Sequence, residues 1–167
     1  MAQFPAEVAD LAGKAHFAQV SDGPVEAGAI RFFAAAVEDG CSDYWTGQTA
    51  GLIAPPALLS AWNRPLMWQP DGSEEAPGLA LHFLVKQRLG LPLAVVTRTE
   101  TELARPVRVG DRVRCEQWLV DVSEAKNNRL GDGRYWTIRV EYRCAASNAL
   151  FGAEVMGFFG YAGGEPA

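Results

Sequence analysis

Histidine is the scarcest chemical group in this chain: His16 and His82 are the two in 167 residues. With so few imidazoles, and no cysteine spacing typical of metal ligands, the sequence argues against a zinc centre. Cysteine is nearly as rare. Cys41, Cys115 and Cys144 are an odd number without a framework pattern, which excludes a disulfide scaffold and points to reduced thiols in a cytoplasm. Basic charge is also short: 15 Lys and Arg stand against 20 Asp and Glu, a net charge of −5. A general nucleic-acid binder would carry the opposite field, although one local basic patch for a phosphorylated ligand stays open. No apolar run approaches the ~20 residues that cross a bilayer. The first residues, Met1 to Glu7, lack the positive start and greasy core of a secretion signal. The expectation is a cytoplasmic protein with no membrane and no nucleic-acid partner.

What the chain does have is material for a core. Hydrophobic residues make up 49% and charged residues 21%, an ordinary globular balance. The length suits one domain over 1–167, with a weakly helical, peripheral segment at 1–20 and a loose tail at 162–167. Ser21-Asp22-Gly23-Pro24 reads as a helix start, predicting a helix from about Val25 to Glu38 that buries Ile30, Phe33, Ala34 and Val37 and stops at Gly40. The stretch Gly51–Asn63 has almost no charge and is greasy nearly all round. It predicts a central helix, with Pro55 and Pro56 in its first turn, where their missing N–H groups cost nothing. Pro70–Gly78 reads as a surface loop and Leu79–Leu89 as a short helix.

The pattern then changes to strands. Ala94–Leu103, Arg112–Val122 (with a bulge near Glu116-Gln117), Arg134–Cys144 and Asn148–Tyr161 alternate or run apolar. Arg134–Cys144 should turn Trp136, Ile138, Val140, Tyr142 and Cys144 inward. Asn148–Tyr161 is apolar on both faces, so its second cover could be another subunit. Helices first and then strands in hairpin order define an α+β class, one central helix wrapped by an antiparallel sheet.

Several stretches in this order resemble the MaoC-like dehydratase/hydratase families, and most closely the FAS1-like dehydratase domains. They are Ile30–Gly40, Tyr44-Trp45, Ile53–Leu59, Pro106–Asp111, and Lys126–Gly133 before Tyr135-Trp136-Thr137. The resemblance covers roughly residues 25–160. It implies a hot-dog fold, an acyl-CoA ligand, and addition of water to a trans-2-enoyl thioester or its reversal. CoA would be part of the substrate, and no separate cofactor is implied. Some members form one half of heteromeric hydratases acting on steroid side-chain thioesters, and this chain looks most like such a half.

That chemistry needs a positioned water, a proton acceptor and donor, and stabilisation of an enolate-like oxygen. The family uses an Asp and a His five residues later, with an Asn between. By that spacing Asp39 stands at the Asp position, Cys41 at the Asn position and Tyr44 at the His position. A tyrosine, with a reference pKa of ~10, is a poor shuttle near neutrality. The expectation is a subunit that shapes the pocket while a homo- or hetero-dimeric hot-dog partner supplies the Asp/His pair. Ala54 at the start of the central helix, Trp62, Lys126 and Arg129 are the substrate- or CoA-binding candidates, with Arg98, Arg105 and Arg108 behind them.

Each candidate has a plainer reading. Asp39 could be a solvated carboxylate at a helix end. Tyr44 could pack on Trp45, and Cys41 could be a thiol nucleophile or a small buried filler. Lys126–Arg129 could be a solvated hairpin tip. His82 and His16 read as structural, and the Trp62/Met67/Trp68 cluster as core or interface packing. Two further functions stay open: an acyl-CoA thioesterase in which Asp39 activates water, and a non-catalytic acyl-CoA binding or assembly subunit.

Overall fold

The computed structural model describes residues 4–46, 51–64, 70 and 78–163. Six strands, β1 (His16–Val20), β2 (Leu93–Leu103), β3 (Val113–Val122), β4 (Lys126–Asn128), β5 (Gly131–Cys144) and β6 (Leu150–Tyr161), form one antiparallel sheet. Its order is β1-β3-β5-β6-β2, with β4 added as a hairpin on β5. Among the described residues, three α-helices, α1 (Ala27–Ala36), α2 (Ser42–Trp45) and α3 (Ala80–Arg88), precede or interrupt the strands. The Met67 and Trp68 part of the expected aromatic cluster, most of the Pro70–Gly78 loop and the end of the tail lie outside the described residues.

The strand β5 follows its alternation: Trp136, Ile138, Val140, Tyr142 and Cys144 are buried, and the residues between them face outward. This defines the concave face. Across it lies α3, with Leu81 and Val85 fully buried and the His82 ring 4.1 Å from Phe158 and 5.5 Å from Trp136. The wrapped helix is therefore Ala80–Arg88, which the sequence reading gave as a minor element. The expected central helix at Gly51–Asn63 is instead two short 3-10 turns, Pro56–Leu58 and Ala61–Asn63. Pro55 and Pro56 bring no N–H groups to carry a longer helix back toward Gly51. The segment's own amides also bond elsewhere: Ala54 N–H donates to Val107 C=O at 2.8 Å, and Ile53 N–H to Asp43 C=O at 3.3 Å.

Two buried amides tie these pieces to the sheet. Asn63 donates through Nδ2 to Val113 C=O at 2.7 Å and Gln19 C=O at 3.3 Å, and its Oδ1 accepts from Cys115 Sγ at 2.8 Å. Gln117, 3% exposed, accepts at Oε1 from Leu81 N–H at 3.0 Å, satisfying one of the open donors at the start of α3. Gln117 also explains a misplaced bulge. Val113, Cys115, Gln117 and Leu119 all point inward, and the register slips between Leu119 and Asp121, not near Glu116-Gln117. A polar residue at a core position breaks the apolar rhythm without breaking the strand.

The N-terminal segment is not peripheral. Val8 and Leu11 are 0% and 3% exposed, Ala9–Leu11 is a single 3-10 turn, and His16–Val20 is an edge strand on β3. The helix α1 is shorter than expected: Ile30 and Ala34 are buried, but Val37 lies beyond its end and is exposed.

The doubly apolar β6 needs no second subunit to cover it. It runs between β5 and β2, and on the convex side fully buried Ala153 lies beside Glu141 and Glu102. Arg139 bridges Glu102 at 2.7 Å and Glu141 at 3.0 Å, and Arg143 bonds Glu141 at 2.7 Å. The aliphatic stems of these long side chains roof the small residue while their heads stay paired. The sheet's two edges are β1 and β2, and β2 has Val96 and Leu103 about 60% exposed on its concave side.

Candidate functional site

The region that carries the expected site begins where α1 ends. Asp39 N–H donates to Ala34 C=O at 2.8 Å and Glu38 N–H to Ala35 C=O at 3.2 Å, the paired bonds of a Schellman stop. Glu38 takes the left-handed conformation this requires, with φ +56°. The stop turns Asp39 back along the chain. Its Oδ1 accepts from Cys41 N–H at 2.9 Å, and its carbonyl accepts from Trp45 Nε1 at 2.7 Å. Asp39 is thus held by α2 and lies outside the cleft lining, whereas Tyr44, at the other end of the same turn, enters it.

The cleft has a volume of about 260 Å³ and is mostly apolar, with Tyr44, Ala54, Leu59, Leu103, Arg105 and Phe151 among its walls. Phe151 reaches it through a bulge: the pairing slips between Tyr142↔Gly152 and Arg143↔Leu150, and both Ala104 and Arg105 N–H groups donate to the Phe151 carbonyl at 2.9 and 3.1 Å. The Arg105 guanidinium sits 5.5 Å over the Phe151 ring, a cation against a π-face at the cleft wall.

Tyr44 is 8% exposed. Burial pushes its hydroxyl above the ordinary phenol range, and the neighbouring Cys41, Asp39 and Asp43 push it further the same way. The group stays protonated near neutrality, a state in which it can donate a hydrogen bond but cannot act as a base. Cys41 is exposed, which corrects the reading of a buried filler.

Neither imidazole reaches the cleft. His16 Nε2 lies 2.9 Å from Leu11 C=O on β1. His82 is enclosed by Phe83, Trp136 and Phe158, and burial, with Lys86 adding to it, lowers its pKa to about 4. The wall segment Pro55-Pro56 also offers no backbone N–H at two successive positions, where an oxyanion would need donors. Among the described residues, no group of three or more His, Cys, Asp or Glu side chains could hold a metal ion.

The structure brings Tyr44 and Ala54 together and separates the other candidates. Trp62 is half-buried against the core, outside the cleft lining. Lys126 and Arg129 lie on the β4–β5 hairpin, whose two-residue turn is Arg129-Leu130, with Gly131–Gly133 already in β5. That hairpin is near the Gly133↔Tyr161 pair, while the cleft is near Tyr142↔Gly152. At ~3.4 Å per residue the separation along β5 is roughly 30 Å. The cation the cleft does have is Arg105. Its signal was the Arg105-Pro106 turn directly after β2, which carries a charge back from a strand end toward the proline segment.

The comparisons with known proteins can now be set beside this geometry. No curated protein matches the chain. Among solved structures, the ChsH1-ChsH2 complex from Mycobacterium tuberculosis aligns with a TM-score of 0.73 at 19% identity, covering 96% of this chain and 92% of that one. The R-hydratase PhaJ1 from Pseudomonas aeruginosa aligns at 0.53 and 14% identity, covering 93% and 87%. The HadBC 3R-hydroxyacyl-ACP dehydratase complex, also from Mycobacterium tuberculosis, aligns at 0.50 and 16% identity, covering 86% and 96%. These likenesses define the fold as a hot-dog fold, an antiparallel sheet around a helix. The family model described as FAS1-like, dehydratase domain region, matches residues 13–148, and the chain belongs to that family.

Proposed function

We propose that this chain is the binding half of an enoyl-thioester hydratase or dehydratase, in which the acyl group lies in the Tyr44–Phe151 cleft and a second hot-dog subunit supplies the Asp/His pair. The observation that carries this reading is the cleft's combination of an apolar wall with no imidazole and a buried, protonated Tyr44 in its place. Such a site binds and orients, but it lacks a proton carrier that titrates near neutrality. Arg105 is the cation best placed to face a phosphate of an acyl-CoA. The open β2 edge, ending at Leu103 beside the cleft, is where the partner's sheet would continue this one.

The test is co-expression with a MaoC-type subunit that carries both Asp and His, followed by trans-2-enoyl-CoA hydration assays. The isolated chain is expected to be silent and the assembled pair active. Ala104→Trp, at the cleft rim, is expected to raise KM of the pair about tenfold or more. Hydration by the isolated chain at the rate of the pair would overturn the proposal. The thioesterase reading is less favoured, because the Asp39 carboxylate is turned to the Cys41 amide, away from the cleft lining.

A further inference from the structure

Leu59 stands at the joint between the two 3-10 turns. It follows Pro56–Leu58, and Ser60 precedes Ala61–Asn63. The Leu59 N–H donates to Pro56 C=O at 3.1 Å and closes the first turn. In so tight a turn successive side chains leave about 120° apart. Here they part to different spaces: Leu59 lines the Tyr44–Phe151 cleft, whereas Ser60 lines a second cavity of about 390 Å³. Leu79, Phe83, Val140 and Met156 give that second space apolar walls, and Arg64 and Glu154 give it charge.

The sheet beneath follows the same boundary. Leu103, Gly152 and Tyr142 are register partners across β2, β6 and β5, one row on the concave face. Leu103 lines the cleft and Tyr142 the second cavity, with Gly152 between them. The glycine leaves a notch in that row, and Leu59 is seated in it: a Cβ added at Gly152 would lie 2.9 Å from Leu59 Cδ2. Leu59 is 3% exposed. Its isobutyl group rests on bare backbone, and that contact closes the cleft on this side.

The cleft, at about 260 Å³, lies just under the ~300–1,000 Å³ of small-molecule sites, and the two spaces joined would lie well inside that range. Resting on the acyl-thioester reading above, we propose that Leu59 is the residue that determines acyl length: it ends the cleft at Gly152 and restricts this chain to short acyl groups. A longer chain has no path past Leu59 without displacing a packed side chain, so its outer methylenes stay in water. Trimming the isobutyl group uncovers the glycine and opens the row from Leu103 to Tyr142. The added methylenes then lie against Val140 and Met156 in the second cavity.

The test is calorimetric binding of acyl-CoA thioesters, from butanoyl to dodecanoyl, to the full chain without turnover. Each methylene taken out of water is worth about fourfold in affinity. Wild-type affinity should climb at about that rate and stop climbing by about eight carbons. Leu59→Ala should move this break outward by about two carbons or more, and bind the dodecanoyl ester at least about tenfold more tightly than wild type. Leu59→Val, a gentler trim, should move the break less in the same direction. Ser60→Leu in the Leu59→Ala background restores bulk from the second cavity's side and should return the break toward its original length. Ala104→Trp should weaken every ester, which locates the acyl group in the cleft. Thermal unfolding reports that each variant is folded. An affinity that climbs evenly to dodecanoyl in wild type, or a break that Leu59→Ala leaves in place, overturns the proposal and leaves the acyl-thioester reading standing. A break that moves in Leu59→Ala and ignores Ser60→Leu also overturns it, because the added room would lie elsewhere. A wild-type chain that binds none of the esters overturns the acyl-thioester reading and, with it, the assignment of Leu59.

Discussion

Replacing His82 by phenylalanine should flatten the acid side of the stability curve. His82 is 8% exposed, its Nδ1 is buried without a partner, and its pKa is lowered from 6.5 to about 4. The folded state therefore holds this ring neutral, while the unfolded chain protonates it near 6.5. Stability from this group is complete above pH 6.5 and is lost as pH falls toward 4, because the unfolded state binds the proton first. At ~1.4 kcal/mol per pKa unit, the loss between pH 7.5 and pH 4.5 is about 2–3 kcal/mol. Urea unfolding at those two pH values measures it, with wild type and His82→Phe in parallel. Carboxylates that titrate near pH 4.5 are common to both proteins and cancel in the comparison. The variant should lose about 2–3 kcal/mol less than wild type over the interval. Parallel losses would refute the argument, and so would an NMR titration placing the His82 pKa near 6.5.

Three other outcomes follow from local geometry. Glu38→Gly relieves a left-handed φ of +56° at the helix stop and should stabilise the protein by up to about 1 kcal/mol in thermal unfolding. Gly152→Ala places a Cβ 2.4 Å from the Glu102 carbonyl oxygen, so it should destabilise by about 1–3 kcal/mol and loosen amide exchange protection along β2. With a thiol reagent at neutral pH, exposed Cys41 should react fast, while buried Cys115 and Cys144 wait for unfolding; a second fast thiol would contradict the packing.

How much could be read from residues alone depended on whether one signal dominated. The strand β5 was legible because a strict period of two coincides with burial from Trp136 to Cys144. Class and fold followed from the order of elements, even though the helix chosen as central was the wrong one. Gly51–Asn63 had the more helical composition, but its prolines and tertiary bonds to Asp43 and Val107 decided its conformation. Ala80–Arg88 looked minor because His82, Lys86 and Arg88 dilute its apolar face, yet His82 packs there as an aromatic ring. The same limit applied to Gln117, whose burial depends on an amide 36 residues away. Of the candidates, Tyr44, chosen by its spacing from Asp39, and Ala54, chosen as the start of the expected central helix, both fall on the cleft wall. Lys126 and Arg129 were chosen for their charge, and a linear sequence gives no measure of the length of sheet between them and the cleft.

The Arg139–Glu141–Arg143 lattice over Ala153 makes the molecule one-sided. Over Ala153 the outer wall is tiled by the chain's own paired charges, so a neighbour arriving flat there would have to strip those pairs. Approach along a sheet edge leaves that lattice intact. The Tyr44–Phe151 cleft opens on the opposite, hollow side.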